Sequence, residues 1–259
     1  MRNLRLYRTE AIVLRRTDFG ETDRLVTVYT PALGKLRVLA KGIRRPVSKM
    51  AGHLELFTHS QLLLARGRNL DLITQCETVD SFLPLREDLV RTTYAHYVAE
   101  LVDRLTPERL ENQPIYGLLL ATLARLAAES QADMAVRFFE LQLLEHLGYR
   151  PHLQRCAGCS RELEPLSNYF AGAAGGALCP ACGGREPAAR SLSVNALKVL
   201  RLLQAGNFAT AARLRLEEPL RRELEMHLRA ALQHLLEREI RSVSFLNRLR
   251  AETTAGPAR

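Results

Sequence analysis

Four of the five cysteines fall into two pairs of identical spacing, Cys156-x2-Cys159 and Cys179-x2-Cys182, with 19 residues between the pairs. In a CxxC knuckle two thiolates reach one tetrahedral ion, and two knuckles supply a closed set of four sulfurs. The pattern points to one structural Zn2+, because four thiolates leave no open position at which a water could be activated. Gly158, Gly183 and Gly184 beside the cysteines permit the tight backbone that a knuckle needs. Cysteines that have lost their metal are one alternative and redox pairs another, but a thioredoxin-type motif needs one CxxC opening a helix within a βαβ unit, and that setting is missing. His152, four residues ahead of Cys156, is a donor by type and reads as a solvent-facing loop histidine. Cys76 stands apart in a strand-like segment and reads as an inert core thiol.

A second constellation is cationic. Residues 31–50 carry Lys35, Arg37, Lys41, Arg44, Arg45 and Lys49 and no acidic residue. On a strand, the even spacing puts Lys35, Arg37 and Lys41 on one face, and the others continue into the loop after Gly42. A barrel face with a basic connecting loop suits phosphate contact with nucleic acid. A solvated edge is the alternative, since lysines on an edge strand also discourage aggregation. Tyr7, Phe19 and Tyr29 offer base-stacking faces, unless they belong to the core.

Asp18, Glu21 and Asp23 cluster in one turn, and three carboxylates invite a metal-dependent nuclease reading. They lack a His or Lys partner within that turn, so solvated turn residues are the simpler reading. No G-x4-G-K-[ST] occurs, which argues against a P-loop ATPase. No Ser/His/Asp grouping stands out, and the chain reads as non-enzymatic.

The elements that must position these residues alternate in type. Segments 9–17, 23–30, 35–41, 54–65 and 70–76 are rich in Val, Leu, Ile and Thr, and Gly20, Pro31 with Gly34, Gly42 and the Arg66-Gly67-Arg68-Asn69 turn separate them. Five short strands predict a small closed barrel over 1–80. Residues 81–150 change to helical spacing, with Ser81 as an expected cap, a helix end near Leu105, and Pro114 in the first turn of the next helix. A further helix spans Met134 to Leu147 and stops at Gly148. Residues 151–190 show no helical or strand period, so a metal clip accounts for their folding. Helical spacing returns over 191–250, interrupted by Gly206 and Pro219, and 251–259 reads as a frayed tail. The fold class is thus α+β: an OB-fold-like barrel, a helical domain in two parts, and a four-cysteine module inserted between them.

Bulk properties agree. The 259 residues contain 37 Lys+Arg against 28 Asp+Glu, a net charge of +9 that suits an anionic partner. The most apolar stretch, 116–128, is too short for a bilayer and contains Arg125. The N-terminal residues lack the unbroken apolar run of a signal peptide, so no membrane association and a cytoplasmic setting are expected.

Taken together, Gly20-Glu21-Thr22-Asp23 with Leu25-Val26, Gly34-Lys35-Leu36 and Ala40-Lys41-Gly42-Ile43-Arg44-Arg45 resemble the N-terminal barrel of the bacterial RecO family of recombination mediators. Residues 137–149 (RFFELQLLEHLGY) look like that family's central helix, and the four-cysteine module follows it as in zinc-bearing members. The resemblance implies binding of single- and double-stranded DNA and ATP-independent strand annealing in the nucleoid. It also implies contact with the acidic C-terminal tail of single-stranded DNA-binding protein and, with RecR, assistance in loading RecA. It points to Arg137 as a carboxylate contact for that tail, against pairing within its own helix with Asp133 and Glu140. A zinc-ribbon RNA-binding accessory protein is the other reading that a barrel plus four cysteines allows.

Overall fold

The computed structural model describes residues 6–128 and 132–236, which fall into two compact units divided near residue 130. Among the described residues the first unit is the barrel with three helices. The strands are β1 (Leu6–Phe19), β2 (Asp23–Thr30), β3 (Gly34–Ala40), β4 (His59–Ala65) and β5 (Asp71–Asp80). They close in the order β1-β2-β3-β5-β4, with β4 returning to β1 and β3 parallel to β5. Five strands in this order make an OB-type barrel. Alternation along the strands fills it: Ala11 and Val13, Val26 and Val28, Leu36, Val38 and Ala40, and Leu62 and Leu64 all point into one core. Ile43 and Leu54 close that core from the segment between β3 and β4, which includes a 3-10 turn over Ala51–Leu54 rather than an early start of β4.

The helices of this unit are α1 (Pro84–Glu87), α2 (Leu89–Leu105) and α3 (Gln113–Ala128). The expected cap at Ser81 gives way to Asp88, whose side chain accepts from Arg91 N–H at 2.8 Å. The helices lie against one side of the barrel. Tyr116 on α3 bonds both Glu10 of β1 and His59 of β4, at 3.1 and 3.0 Å. Arg86 on α1 donates to Leu56 O and Ser81 O.

In the second unit α4 (Ala132–His146) packs with α6 (Val194–Gln204), α7 (Phe208–Ala211) and α8 (Glu218–Leu235). Sequence order groups α4 with the preceding helices; in the structure it shares a core with the C-terminal ones instead. Gly206 ends α6 with φ at +79°, whereas Pro219 opens α8 rather than interrupting it. Between α4 and α6 stands a three-stranded antiparallel sheet in the order β7-β6-β8: β6 (Asn168–Ala171), β7 (Gly176–Leu178) and β8 (Arg190–Leu192). Strands of three or four residues are too short to display a period of two, which is why this sheet is not legible in the sequence. Residues 237–259, including the expected frayed tail, lie outside the described residues. No described helix is long and apolar enough to cross a membrane.

Candidate metal centre and nucleic-acid interface

The two knuckles are built by backbone hydrogen bonds. Cys156 N–H donates to Arg161 O at 2.7 Å and Ser160 N–H to Cys156 O at 2.8 Å. Cys179 leads into the short helix α5 (Pro180–Gly183), with Cys182 and Gly183 N–H donating to Cys179 O. A bond from Ala157 N–H to Ala177 O at 2.8 Å seats the first knuckle against β7, next to the second. Space is tight at Gly158 and forbids a side chain at Gly183. A Cβ on Gly158 would stand 3.2 Å from Cys182 Sγ, and one on Gly183 would stand 2.3 Å from the Tyr169 ring.

All four Sγ atoms lie within 4.8 Å of one another, and Cys159 and Cys179 are 3.8 Å apart. A tetrahedral ion with sulfurs at about 2.3 Å sets an edge of roughly 3.8 Å, so the spacing fits one four-thiolate ion. Burial opposes ionisation of Cys156, but N–H groups of Cys179, Cys159 and Gly158 outweigh it and hold the thiol down at about 6. Cys182 is pushed up to about 12, chiefly by hydrogen bonding to Cys179, Cys156 and Cys159. A divalent cation held by Cys156, Cys159, Cys179 and Cys182 would favour all four as thiolates. His152 is exposed and stands outside the group, paired to β7 through its backbone. Cys76 is half-buried beside the barrel core, and burial pushes its thiol up to about 11.

The basic strip divides. Leu36, Val38 and Ala40 point inward, so Lys35 and Arg37 share the outer face as expected. Lys35, however, is only 9% exposed. Its ammonium meets the Asp103 carbonyl and lies 3.4 Å from the Asp103 carboxylate, while Arg109 N–H binds the Lys35 carbonyl at 2.9 Å. The expectation of an exposed Lys35 fails because the end of α2 and the following segment cover that part of β3. Arg37 remains exposed, 3.9 Å from Glu108. Lys41, Arg44, Arg45 and Lys49 are exposed on the loop, and among the described residues only Arg44 of these four forms an ion pair, to Asp18 at 3.4 Å.

The turn carboxylates hold this loop in place. Asp23 accepts from Gly42 N–H at 2.7 Å, which keeps its carboxyl below the usual range. Asp18 accepts from Arg24 at 2.8 Å. Among the described residues Asp18, Glu21 and Asp23 do not form a group placed to hold a metal ion.

Arg137 is 2% exposed and sits 3.2 Å from Glu140 and 3.9 Å from Asp133, all on α4. The in-helix pairing with Asp133 and Glu140 is the arrangement found, and a contact with the acidic tail would require the Arg137 side chain to leave this buried position. Sequence reasoning passed over Arg66 and Arg68, exposed in the β4–β5 turn, with Arg66 stacked 5.5 Å over Tyr7. The signal was available: in OB-type barrels the β1–β2 and β4–β5 loops flank the binding face.

Residues 1–82 match the family model described as Recombination protein O N terminal, and residues 86–244 match Recombination protein O C terminal. The chain belongs to the RecO family. RecO relatives agree over nearly their whole length. DNA repair protein RecO of Roseiflexus sp. is 49% identical, covering 98% of this chain and 90% of the relative. That of Pelotomaculum thermopropionicum is 42% identical, with 95% of each chain covered, and that of Dehalococcoides mccartyi (strain 195) is 40% identical, with 94% and 96% covered. RecO is a family of DNA repair mediators rather than enzymes, which accords with an OB-type barrel and a closed four-sulfur cluster.

Proposed function

We propose that this chain is a DNA-binding recombination mediator that anneals complementary single strands. The observation that carries it is the exposed row Arg37, Lys41, Arg44, Arg45 and Lys49 at the end of an OB-type barrel in a DNA repair family. Two strands repel each other, and a surface that neutralises phosphates weakens that repulsion without hydrolysing anything. Lys35 contributes to this surface by holding β3 against α2 rather than by touching DNA. The ion of the four-cysteine cluster is Zn2+, in a structural role: all-sulfur tetrahedral sites suit zinc, and the reduced thiols of a DNA repair protein keep such a site available.

The same reading extends to partners. RecR, the acidic tail of single-stranded DNA-binding protein and, indirectly, RecA follow from the resemblance to RecO. The decisive experiment is annealing of complementary strands precoated with single-stranded DNA-binding protein, with and without RecR. Annealing without ATP, lost on reversing the loop cations, supports the proposal. Binding confined to structured RNA, with no annealing of DNA, would favour the RNA-binding alternative.

A further inference from the structure

We infer that the β1–β2 turn and the loop after β3 form a site for unpaired nucleotides, with Phe19 as the face on which a base stacks. This rests on the DNA-binding reading and narrows it to single strands. Of the three aromatics on the barrel strands, Tyr29 is fully buried and Tyr7 donates to Asp71 at 2.6 Å, half-buried under Arg66. Phe19 is 53% exposed at the end of β1. Val47, at 86%, is a second large apolar side chain exposed in the basic loop, between Arg45 and Lys49.

These groups belong to one platform. Gly42 N–H bonds Asp23 at 2.7 Å, Arg44 N–H bonds Thr22 O at 2.9 Å, and the Arg44 side chain reaches Asp18 at 3.4 Å. The turn that carries Phe19 is thereby tied three times to the loop that carries Lys41, Arg44, Arg45 and Val47. Cations alone serve any polyanion, duplex included. Exposed apolar faces among them serve a ligand that presents its bases, and only an unpaired strand does so, since in a duplex the base faces are stacked on each other. Any base has such a face, so the site accepts any sequence.

The sequence contains no tryptophan, so Phe19→Trp in the full chain gives a single reporter at the site. Its emission is expected to be quenched by oligothymidylate and unchanged by a blunt duplex or an abasic oligonucleotide. Phe19→Ala is expected to lower affinity for oligothymidylate roughly 5- to 100-fold and to leave duplex affinity nearly unaltered. The inference is overturned if saturating oligothymidylate leaves the emission of the Phe19→Trp variant unchanged, or if Phe19→Ala weakens single strand and duplex equally. Lys41→Glu with Arg44→Glu separates the two levels. If it abolishes binding while Phe19→Ala behaves as wild type, stacking fails and the DNA face stands. If it binds as wild type, the DNA face itself is misplaced.

Discussion

The backbone N–H of Gly42 donates to the Asp23 carboxylate at 2.7 Å, joining the first turn of the barrel to the start of its basic loop. An acidic residue beside the proposed DNA surface thus positions the cations around it. Asp23→Ala is therefore expected to lower DNA affinity several-fold although it removes a negative charge. Hydrogen exchange at the Gly42 amide should accelerate in the same variant. An affinity that rises, as charge alone dictates, would refute this role.

Reversing Lys41 and Arg44 to Glu is expected to impair DNA binding and annealing while leaving the metal content and helical signal intact. Single alanine changes at Arg37, Lys41, Arg44, Arg45 or Lys49 should each reduce the slope of log K against log salt by roughly 0.7 on single strands. Lys35→Ala should behave differently, costing about 1–3 kcal/mol of stability through its charged contacts to Asp103, with little change in salt slope. Titrations over a salt series and urea unfolding distinguish the two classes.

The four-cysteine cluster is expected to hold one zinc per chain. Cys→Ser at Cys156, Cys159, Cys179 or Cys182 should destabilise the second unit strongly, because apparent binding energies near 10 kcal/mol in such sites are folding energy. Elemental analysis and thermal unfolding with and without chelator check this. A metal-free native protein of unchanged stability would contradict it.

Arg137→Ala removes a buried cation from beside Glu140, itself 0% exposed. A loss on the order of 3–5 kcal/mol is expected, as for other broken buried pairs. Wherever the variant still folds, its affinity for the acidic tail peptide should equal that of wild type. Loss of tail binding at full stability would restore Arg137 as a contact.

His227 on α8 is fully buried beside the Phe170 ring, with Glu223 at 3.8 Å. Burial is the main effect and lowers its folded-state pKa, against the smaller pull of Glu223. The unfolded chain therefore takes up the proton first, and stability is lost as pH falls below about 6.5. Thermal unfolding across pH 5–8 should show this loss in wild type and a flatter profile in His227→Phe. Parallel profiles would dismiss His227 as the titrating group.

The sequence by itself determined what short-range physics specifies. The alternation of Val, Leu and Ile between Gly and Pro punctuation marked the barrel strands, with β2 at Asp23–Thr30. The two CxxC spacings marked the cysteine cluster, because a knuckle is local and needs only backbone reach. The lack of acidic residues over 31–50 marked the basic strip. Tertiary structure decided the rest, because burial depends on which distant segment arrives. Lys35 and Lys41 share charge and strand parity, yet one is covered by the end of α2 and the other is exposed. Phe19, Tyr7 and Tyr29 are alike as residue types, and the packing around each left only Phe19 of the three exposed. Arg137 read in the sequence as a contact for a partner tail, with pairing inside its own helix as the alternative. In the second unit Arg137 is buried beside Glu140 and Asp133, an arrangement only the packing could show, since a guanidinium removed from water needs its carboxylates close by.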